Sequence, residues 1–372
     1  MNAARLQKLV DLMEKFALTA VALNPGPSLV YLTGFNFHLM ERPTVLLVTR
    51  TGSMALVLPA LERGKVPDES PVFKVHPYDD DPAAWQLAFT QAVDGLNLHQ
   101  GQIGVEPSRL RFLELSFLKK ALPEVEFVDG QQVLGNLRIL KDSEEIDKMR
   151  KAVQIAQNAL IETLKHVREG MTEKAIANKL IIQLLKAGSQ PDLPFSPIVA
   201  IGENSANPHA QPSDRALAPG DLVLIDWGAG FDGYYSDITR TFTYGGVDPK
   251  LTRIAEIVLA ANQAGREAGK AGVQAGAVDR AARSVIVDAG YGAAFIHRTG
   301  HGLGMEAHEE PYIYEENTQI LATGMAFTIE PGIYLAGKGG VRIEDDVIVT
   351  EEGLDSLTDL PREVQPLESF MV

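Results

Sequence analysis

The chain has 372 residues, 45% apolar and 22% charged, enough for two domains with filled cores. Its 34 basic and 49 acidic residues leave a net charge of −15, which argues against a nucleic-acid surface and against attraction to anionic membranes. The absence of cysteine excludes disulfides, thiolate metal ligands and thiol nucleophiles; with no apolar run near ~18 residues and no signal-peptide core in Met1–Leu9, a cytoplasmic protein is expected.

From the N-terminus, Leu6, Leu9, Val10, Met13 and Phe16 recur at helical spacing, and a strand over Ala20–Leu23 is expected to stop at Asn24-Pro25-Gly26-Pro27. Thr44–Thr49 and Ala55–Leu58 read as strands joined near Thr51-Gly52, a hairpin signal. Helices over Asp81–Val93 and Arg109–Ala121, with strands at Ile103–Val105 and Val125–Val128, predict an α/β domain of roughly 130 residues. His38, His76 and His99 stand alone there and form no convergent cluster. The glycines at 130 and 135 then give way to a long helix, which sets a boundary between Val133 and Lys141 and domains of 1–136 and 137–372.

Asp142 or Ser143 can cap that helix, Glu144 and Glu145 suit its first turn, and Ile146, Met149, Ala152, Val153, Ala156 and Leu160 give it one apolar face. Thr172 caps a second helix ending near Gly188. After a proline-rich loop, Leu222–Thr241 holds an apolar run ending in Asp226, glycines at 228, 230 and 233, and a second run carrying Asp237. A hairpin with its tip at Phe231–Asp232 sets Asp226 directly across from Asp237, their Cβ atoms on the order of 5 Å apart. Like charges there repel unless a cation lies between them. On this stretch alone, two surface aspartates on an irregular loop is an equal reading.

Two more helices, about Lys250–Gly269 and Val278–Ala289, precede Met325–Val349, again two apolar runs, here around a tip at Gly337 with Glu330 and Glu344 symmetric about it. Two hairpins with facing carboxylates favour a metal site, and oxygen-rich ligation suits Mn, Mg, Co or Zn. The second half thus reads as a duplicated α+β unit of helix pair, hairpin, helix pair, hairpin. Between them, Phe295–His308 carries three histidines. Gly300, Gly302 and Gly304 oppose a helical zinc pair of His297 and His301, and no βαβ context makes them a dinucleotide fingerprint. A glycine-rich strand that approaches a metal closely is one reading; a glycine-softened strand with incidental imidazoles is the other.

The ordered set Asp226, Asp237, His301, Glu330, Glu344 resembles the metal ligands of the pita-bread metallopeptidases, which include prolidase, aminopeptidase P and methionine aminopeptidase. The contexts are similar too: Asp226-Trp-Gly, Ser236-Asp-Ile-Thr-Arg-Thr, His297-Arg-Thr-Gly-His-Gly-Leu-Gly, Thr328-Ile-Glu-Pro-Gly-Ile-Tyr and Val341-Arg-Ile-Glu-Asp-Asp. Leu137-Arg-Ile-Leu-Lys-Asp-Ser-Glu-Glu-Ile resembles the proline-specific branch, as does the presence of a whole N-terminal domain. The resemblance implies an α/β N-terminal domain followed by an α+β pita-bread (creatinase/aminopeptidase-like) catalytic domain. It implies hydrolysis of the bond preceding proline in proline-containing peptides, with two divalent ions, Mn or Co with Zn as a further option. Asp226 would hold one ion, His301 and Glu330 the other, with Asp237 and Glu344 bridging. Glu330 would serve as general base; His209, in Asn207-Pro-His, and His308, in Glu306-Ala-His, would steady the oxyanion and the substrate backbone. Arg342 either touches substrate or holds a carboxylate. A homodimer is implied as well. A creatinase-like amidinohydrolase, a lyase acting on a small sulfonium substrate and a catalytically silent binding protein are the alternatives on this fold; the intact ligand set favours the peptidase.

In one place the chain departs from the dipeptide-specific pattern. Many prolidases carry a carboxylate-gripping arginine where Glu310-Pro-Tyr-Ile has Tyr312, and tyrosine offers only one neutral hydrogen bond. On Tyr312 alone, Xaa-Pro-Yaa tripeptides are expected to be cleaved at least as well as Xaa-Pro dipeptides, which kcat/KM on Ala-Pro and Ala-Pro-Ala measures.

Overall fold

Apolar runs in the first 130 residues assemble into one mixed sheet. In the computed structural model, which describes residues 2–371, the chain divides into two compact units, Met1–Arg138 and Ile139–Val372. The ends of the expected domains, at residues 1 and 372, and the first residue of the Met1–Leu9 segment lie outside the described residues. The strands of the first unit are β1 (Ala20–Leu23), β2 (Val45–Thr49), β3 (Met54–Pro59), β4 (Phe73–Tyr78), β5 (Gly101–Val105) and β6 (Val125–Asp129), ordered β4-β3-β2-β1-β5-β6. Side chains of β2 and β3 are buried on both faces, which their unbroken apolar runs require.

Among the helices, α1 (Ala3–Lys15), α2 (Pro27–Thr33), α3 (Trp85–Gly95), α4 (Phe112–Ala121) and α5 (Gln131–Arg138), the third and fourth supply Trp85, Phe89, Val93 and Leu118 to a core with Val45, Leu47 and Val57. Sequence patterning missed β4, α2 and α5. Pro77 argues against a central strand, yet β4 is an edge strand, where a missing N–H is tolerated. Pro27 reads as a stop but also begins a helix, because its fixed φ suits the first turn.

The second unit opens with α6 (Ser143–Leu164), whose Asp142 and Glu145 form a reciprocal capping box, and α7 (Glu173–Ala187), capped by Thr172 and closed by Gly188 at φ 101°. Then come β7 (Ile198–Ile201), β8 (Asp221–Trp227), β9 (Gly230–Phe231), β10 (Tyr234–Tyr235) and β11 (Ile238–Tyr244). A second helix pair, α8 (Pro249–Ala268) and α9 (Ala275–Asp288), precedes β12 (Gly300–Gly302), β13 (Glu309–Ile313), β14 (Ala326–Ile329), β15 (Gly332–Leu335), β16 (Gly339–Arg342), β17 (Asp345–Val349), β18 (Leu354–Ser356) and β19 (Gln365–Pro366). Two sheets result, β19-β11-β8-β7 and β13-β12-β14-β17-β18, with β15-β16 as a separate ribbon. Helices α6 and α7 bury Met149, Val153, Ile176 and Leu180 against Val223, Ile225 and Trp227 of β8, while α8 sets Ile254 and Val258 against Ile333, Val341 and Ile343. Among the described residues no helix is long and apolar enough to cross a membrane.

The first hairpin corrects the expected register. Asp226 pairs with Thr239, not Asp237, and Phe231 with Tyr234, so the tip is Asp232-Gly233. Both tip residues have positive φ, 47° and 81°, which a type I′ turn requires and Asp-Gly supplies. Asp237 faces Gly228 one step before β11, where the ladder opens and its amide is taken by Asp346 Oδ2 at 3.0 Å. The second hairpin keeps the expected register: Gly332 pairs with Arg342 and Ile329 with Asp345, leaving Glu330 and Glu344 opposite one another. At that level the hairpin's own ladder is also open, and the amides of Glu330 and Glu344 donate to Thr299 and Thr239 at 2.7 and 3.1 Å.

The glycine-rich histidine segment is a strand. A Cβ on Gly300 would lie 1.8 Å from the Thr328 carbonyl oxygen, so only glycine lets β12 approach β14. Gly300→Ala should therefore cost stability by about 1–3 kcal/mol or more, read as a lowered midpoint in denaturant unfolding.

Candidate metal centre

The side chains on these broken ladder positions converge. Oxygens of Asp226, Asp237 and Glu344 lie within 4.8 Å of one another, as do ligand atoms of His301, Glu330 and Glu344, and those of Asp237, His301 and His308. Asp237, His301 and Glu344 each belong to two of the groups, so the three groups interlock into one cluster with room for adjacent cation positions. All five expected ligands are thus brought together from β8, the start of β11, β12 and both sides of the second hairpin.

His301 Nδ1 lies 3.1 Å from the Gly302 carbonyl, which can only accept, so Nδ1 carries the proton and Nε2 presents its lone pair. That Nε2 is 3.6 Å from Asp237 Oδ2 and 3.5 Å from Glu330 Oε1. These separations are longer than hydrogen bonds and close to the roughly 3–3.5 Å between neighbouring donors around an ion with bonds near 2.1 Å. Asp226 Oδ1 is buried and has no hydrogen-bond partner. A buried carboxylate oxygen without a donor is costly, and here it faces the other ligands, so the residues fit a metal.

Charge points the same way. Four largely buried carboxylates cluster near the guanidinium of Arg342, and the charge of Arg298 also reaches Glu330. Burial raises the pKa of Asp226 against the pull of Arg342. Burial, then Glu344 and Asp226, raise Asp237 well above the carboxylate range, and burial, then Glu330 and Asp226, do the same to Glu344. Glu330 is pushed up to about 7 by burial, partly offset by Arg342. Burial and His308 hold His301 well below its usual value, so it is neutral at pH 7. Carboxylates driven toward protonation and an imidazole kept neutral are what divalent cations would reverse and use.

Arg342 is held by many partners. Its Nη2 binds Asp226 Oδ2, its Nε donates to Thr239 Oγ1 at 3.0 Å, and its Nη1 donates to the Tyr334 hydroxyl at 2.9 Å and to the Pro208 carbonyl at 3.3 Å. The Thr239 hydroxyl in turn donates a hydrogen bond to Glu344 Oε2 at 2.6 Å. Of the two readings left open for Arg342, the geometry therefore gives the one in which it holds a carboxylate.

His297 lies 2.8 Å from the Tyr334 hydroxyl through Nε2 and 2.7 Å from the Arg298 carbonyl through Nδ1; burial brings its pKa down to about 4. It backs the arginine through Tyr334 and is not among the ligands. His308 is exposed, its ring centroid 4.0 Å from that of His301. His209 sits in an exposed loop after β7, near enough for its charge to act on Asp226 and His308. Tyr312, on β13, pairs with His301. Sequence patterning singled out neither Thr239 nor Tyr334 nor Arg298, although all three lie inside motifs quoted above; an uncharged hydroxyl gives no sign of its partner until the strands are paired.

This fold and donor set define a two-domain metallohydrolase with a carboxylate-rich metal centre. The chain belongs to the Metallopeptidase family M24, which matches residues 147–351, and its residues 5–140 match the Creatinase/Prolidase N-terminal domain. It is 35% identical to the Xaa-Pro dipeptidase of Pyrococcus horikoshii over 97% of this chain and 98% of that one. Its fold superimposes on a recombinant prolidase from Thermococcus sibiricus with a TM-score of 0.92 at 34% identity, covering 98% of this chain and 99% of that one. For an X-Pro aminopeptidase from Thermotoga maritima the TM-score is 0.81 at 32% identity, covering 95% and 99%.

A group whose pKa rises on folding stabilises the folded state at low pH and loses that contribution as pH climbs through the folded value. For Glu330 the window runs from 4.5 to about 7. The depressed histidines act in the opposite sense, so the informative quantity is a difference. Metal-free wild type should lose stability relative to metal-free Glu330→Gln as pH rises through this window, and saturating Mn²⁺ should abolish that trend, both read from denaturant unfolding.

Proposed function

We propose that the protein hydrolyses the peptide bond preceding proline, with a pair of divalent ions held by Asp226, Asp237, His301, Glu330 and Glu344. The observation that carries this reading is the convergence of all five donors, with an unpartnered oxygen on Asp226, in a chain whose relatives include an Xaa-Pro dipeptidase and an X-Pro aminopeptidase. Asp226 would hold one ion, His301 and Glu330 the other, and Asp237 and Glu344 would be shared; that His301, Glu330 and Glu344 fall in one donor group and Asp226, Asp237 and Glu344 in another supports this reading. The ions would acidify the attacking water and polarise the scissile carbonyl. Mn or Co is the expected metal, because a thiolate-free set with one imidazole and four carboxylates suits harder ions, and Zn is a further option.

The remaining steps fall to the protein. Glu330 takes the proton of the attacking water on its carboxylate and delivers it to the proline nitrogen as the bond breaks. His308, whose ring lies beside that of His301, and His209, whose charge reaches Asp226, would donate to the oxyanion and to the substrate backbone. Partial desolvation of the His308 ring, with the charge of Arg298, lowers its pKa, and a neutral imidazole still donates one N–H. Arg342 holds Asp226 in place and keeps Thr239 aimed at Glu344. Proline-containing peptides are the substrates under this reading, which also carries, from family resemblance, the expectation of a cytoplasmic homodimer. The alternatives need less of this apparatus: an amidinohydrolase working without metal has no use for five converged ligands.

Exhaustive chelation should abolish turnover of Ala-Pro, and Mn²⁺ or Co²⁺ should restore it; full activity in protein shown metal-free by elemental analysis would overturn the dinuclear reading. Glu330→Gln should lower kcat by at least ~10²-fold. His209→Ala and His308→Ala should lower kcat with metal still bound, as metal content and steady-state kinetics on the same samples would show.

A further inference from the structure

The acidic protein keeps one guanidinium beside its metal centre unpaired. Arg298 is half-buried, and among the described residues no carboxylate pairs with it. Its guanidinium carbon lies 4.4 Å from the centroid of the Tyr312 ring, in cation–π contact. Tyr312 pairs across the strands with His301, so the two side chains share a face of the sheet, and the ring carries the arginine toward the ligands. The positive charge of Arg298 acts on His301, His308 and Glu330 and also reaches Glu310, with which it forms no ion pair.

Its backbone is fixed on both sides. The Arg298 carbonyl accepts from His297 Nδ1 at 2.7 Å, the Thr299 amide donates to Ile313 at 2.9 Å, and Arg283 holds the His297 carbonyl at 2.8 Å. The carboxylate of Glu310, on the adjoining strand, is turned to the Tyr312 amide at 3.3 Å. The other nearby arginine, Arg342, already donates to Asp226, Thr239, Tyr334 and Pro208. With 49 acidic residues against 34 basic ones, a rigid, half-desolvated arginine left without a carboxylate is placed for an anion that arrives from outside.

We propose that Arg298, braced on the Tyr312 ring, binds the C-terminal carboxylate of the substrate. The inference rests on the Xaa-Pro reading above. In an Xaa-Pro dipeptide that carboxylate is two bonds from the scissile nitrogen, so its partner must stand at the edge of the metal centre, as Arg298 does. A third residue would carry the carboxylate about 3.5 Å farther along the chain. Tyr312 thus supports a cation in place of supplying one, and the expectation drawn from Tyr312 alone reverses: the dipeptide is the preferred substrate.

The test compares Ala-Pro with Ala-Pro-amide, which lacks the charge, on the Mn-loaded enzyme. Arg298→Gln should lower the ratio of their kcat/KM values by on the order of 10- to 150-fold, and Arg298→Lys should recover part of it. A ratio that changes by less than about threefold, whether because both substrates fall together or because neither does, overturns the proposal. Calorimetric binding of L-proline and of prolinamide supplies a readout without turnover. Arg298→Gln should weaken proline relative to prolinamide by a similar factor, and equal weakening of both overturns the assignment. Should neither peptide be hydrolysed by the wild type, the Xaa-Pro reading fails, and proline binding still decides whether Arg298 holds a carboxylate.

Discussion

Everything in the second unit is arranged around the burial of four carboxylates within a few ångströms of one another. Asp226, Asp237, Glu330 and Glu344 are screened from water, and their mutual repulsion grows as the local dielectric falls. A protein can hold such a cluster only with compensating charge. Arg342 supplies part of it directly to Asp226, and Thr239 stabilises Glu344 by hydrogen bonding. The unpartnered Asp226 Oδ1 and the lone pair of His301 Nε2 mark where the rest belongs. The same repulsion that opposes folding without metal becomes affinity once divalent ions are present.

That cluster is kept in shape by a second set of charges just behind it. Asp345, fully buried, accepts from Arg240 at 2.8 Å, Arg362 at 2.6 Å and Asn262 at 3.1 Å, and its pKa is lowered against a large burial penalty by those arginines. Arg240 also donates to the backbone carbonyls of Glu344, Thr239, Leu360 and Pro361. One guanidinium therefore ties both carboxylate-bearing strands to the C-terminal segment. Buried ion pairs of this kind add little net stability, because desolvation offsets their attraction. Here they fix the backbone on which two ligands stand.

The backbone geometry has a common theme. Each ligand hairpin opens its ladder at the level of its carboxylate, and the freed amides of Asp237, Glu330 and Glu344 bond to neighbouring segments. The openings let strands from separate sheets meet, while Gly228 permits close approach within its own hairpin and Gly300 within its own sheet, since a Cβ on either would strike a carbonyl oxygen. Two stretches of the second unit, each with a helix pair and a hairpin, thus contribute to one centre that neither forms alone.

Much of this was legible in the residues. The helices of the second unit follow from apolar periodicity and from Asp142, Thr172 and Gly188 as caps. The Glu330–Glu344 pairing follows from symmetry about Gly337, whose φ of 70° marks the tip. The five side chains that converge were singled out by their order and contexts, through the family resemblance. Register at the first hairpin did not, because Phe231-Asp232 and Asp232-Gly233 are both reasonable tips on composition, and only the positive φ of Asp232 and Gly233 together selects the second. Nor could periodicity reveal that Arg342 is saturated while Arg298 is left without a carboxylate. Residue type and spacing determine which side chains can ligate or donate; which donors are already taken depends on contacts between residues far apart in the chain, such as Arg342 with Asp226 or Arg298 with Tyr312, and these exist only once the strands have paired.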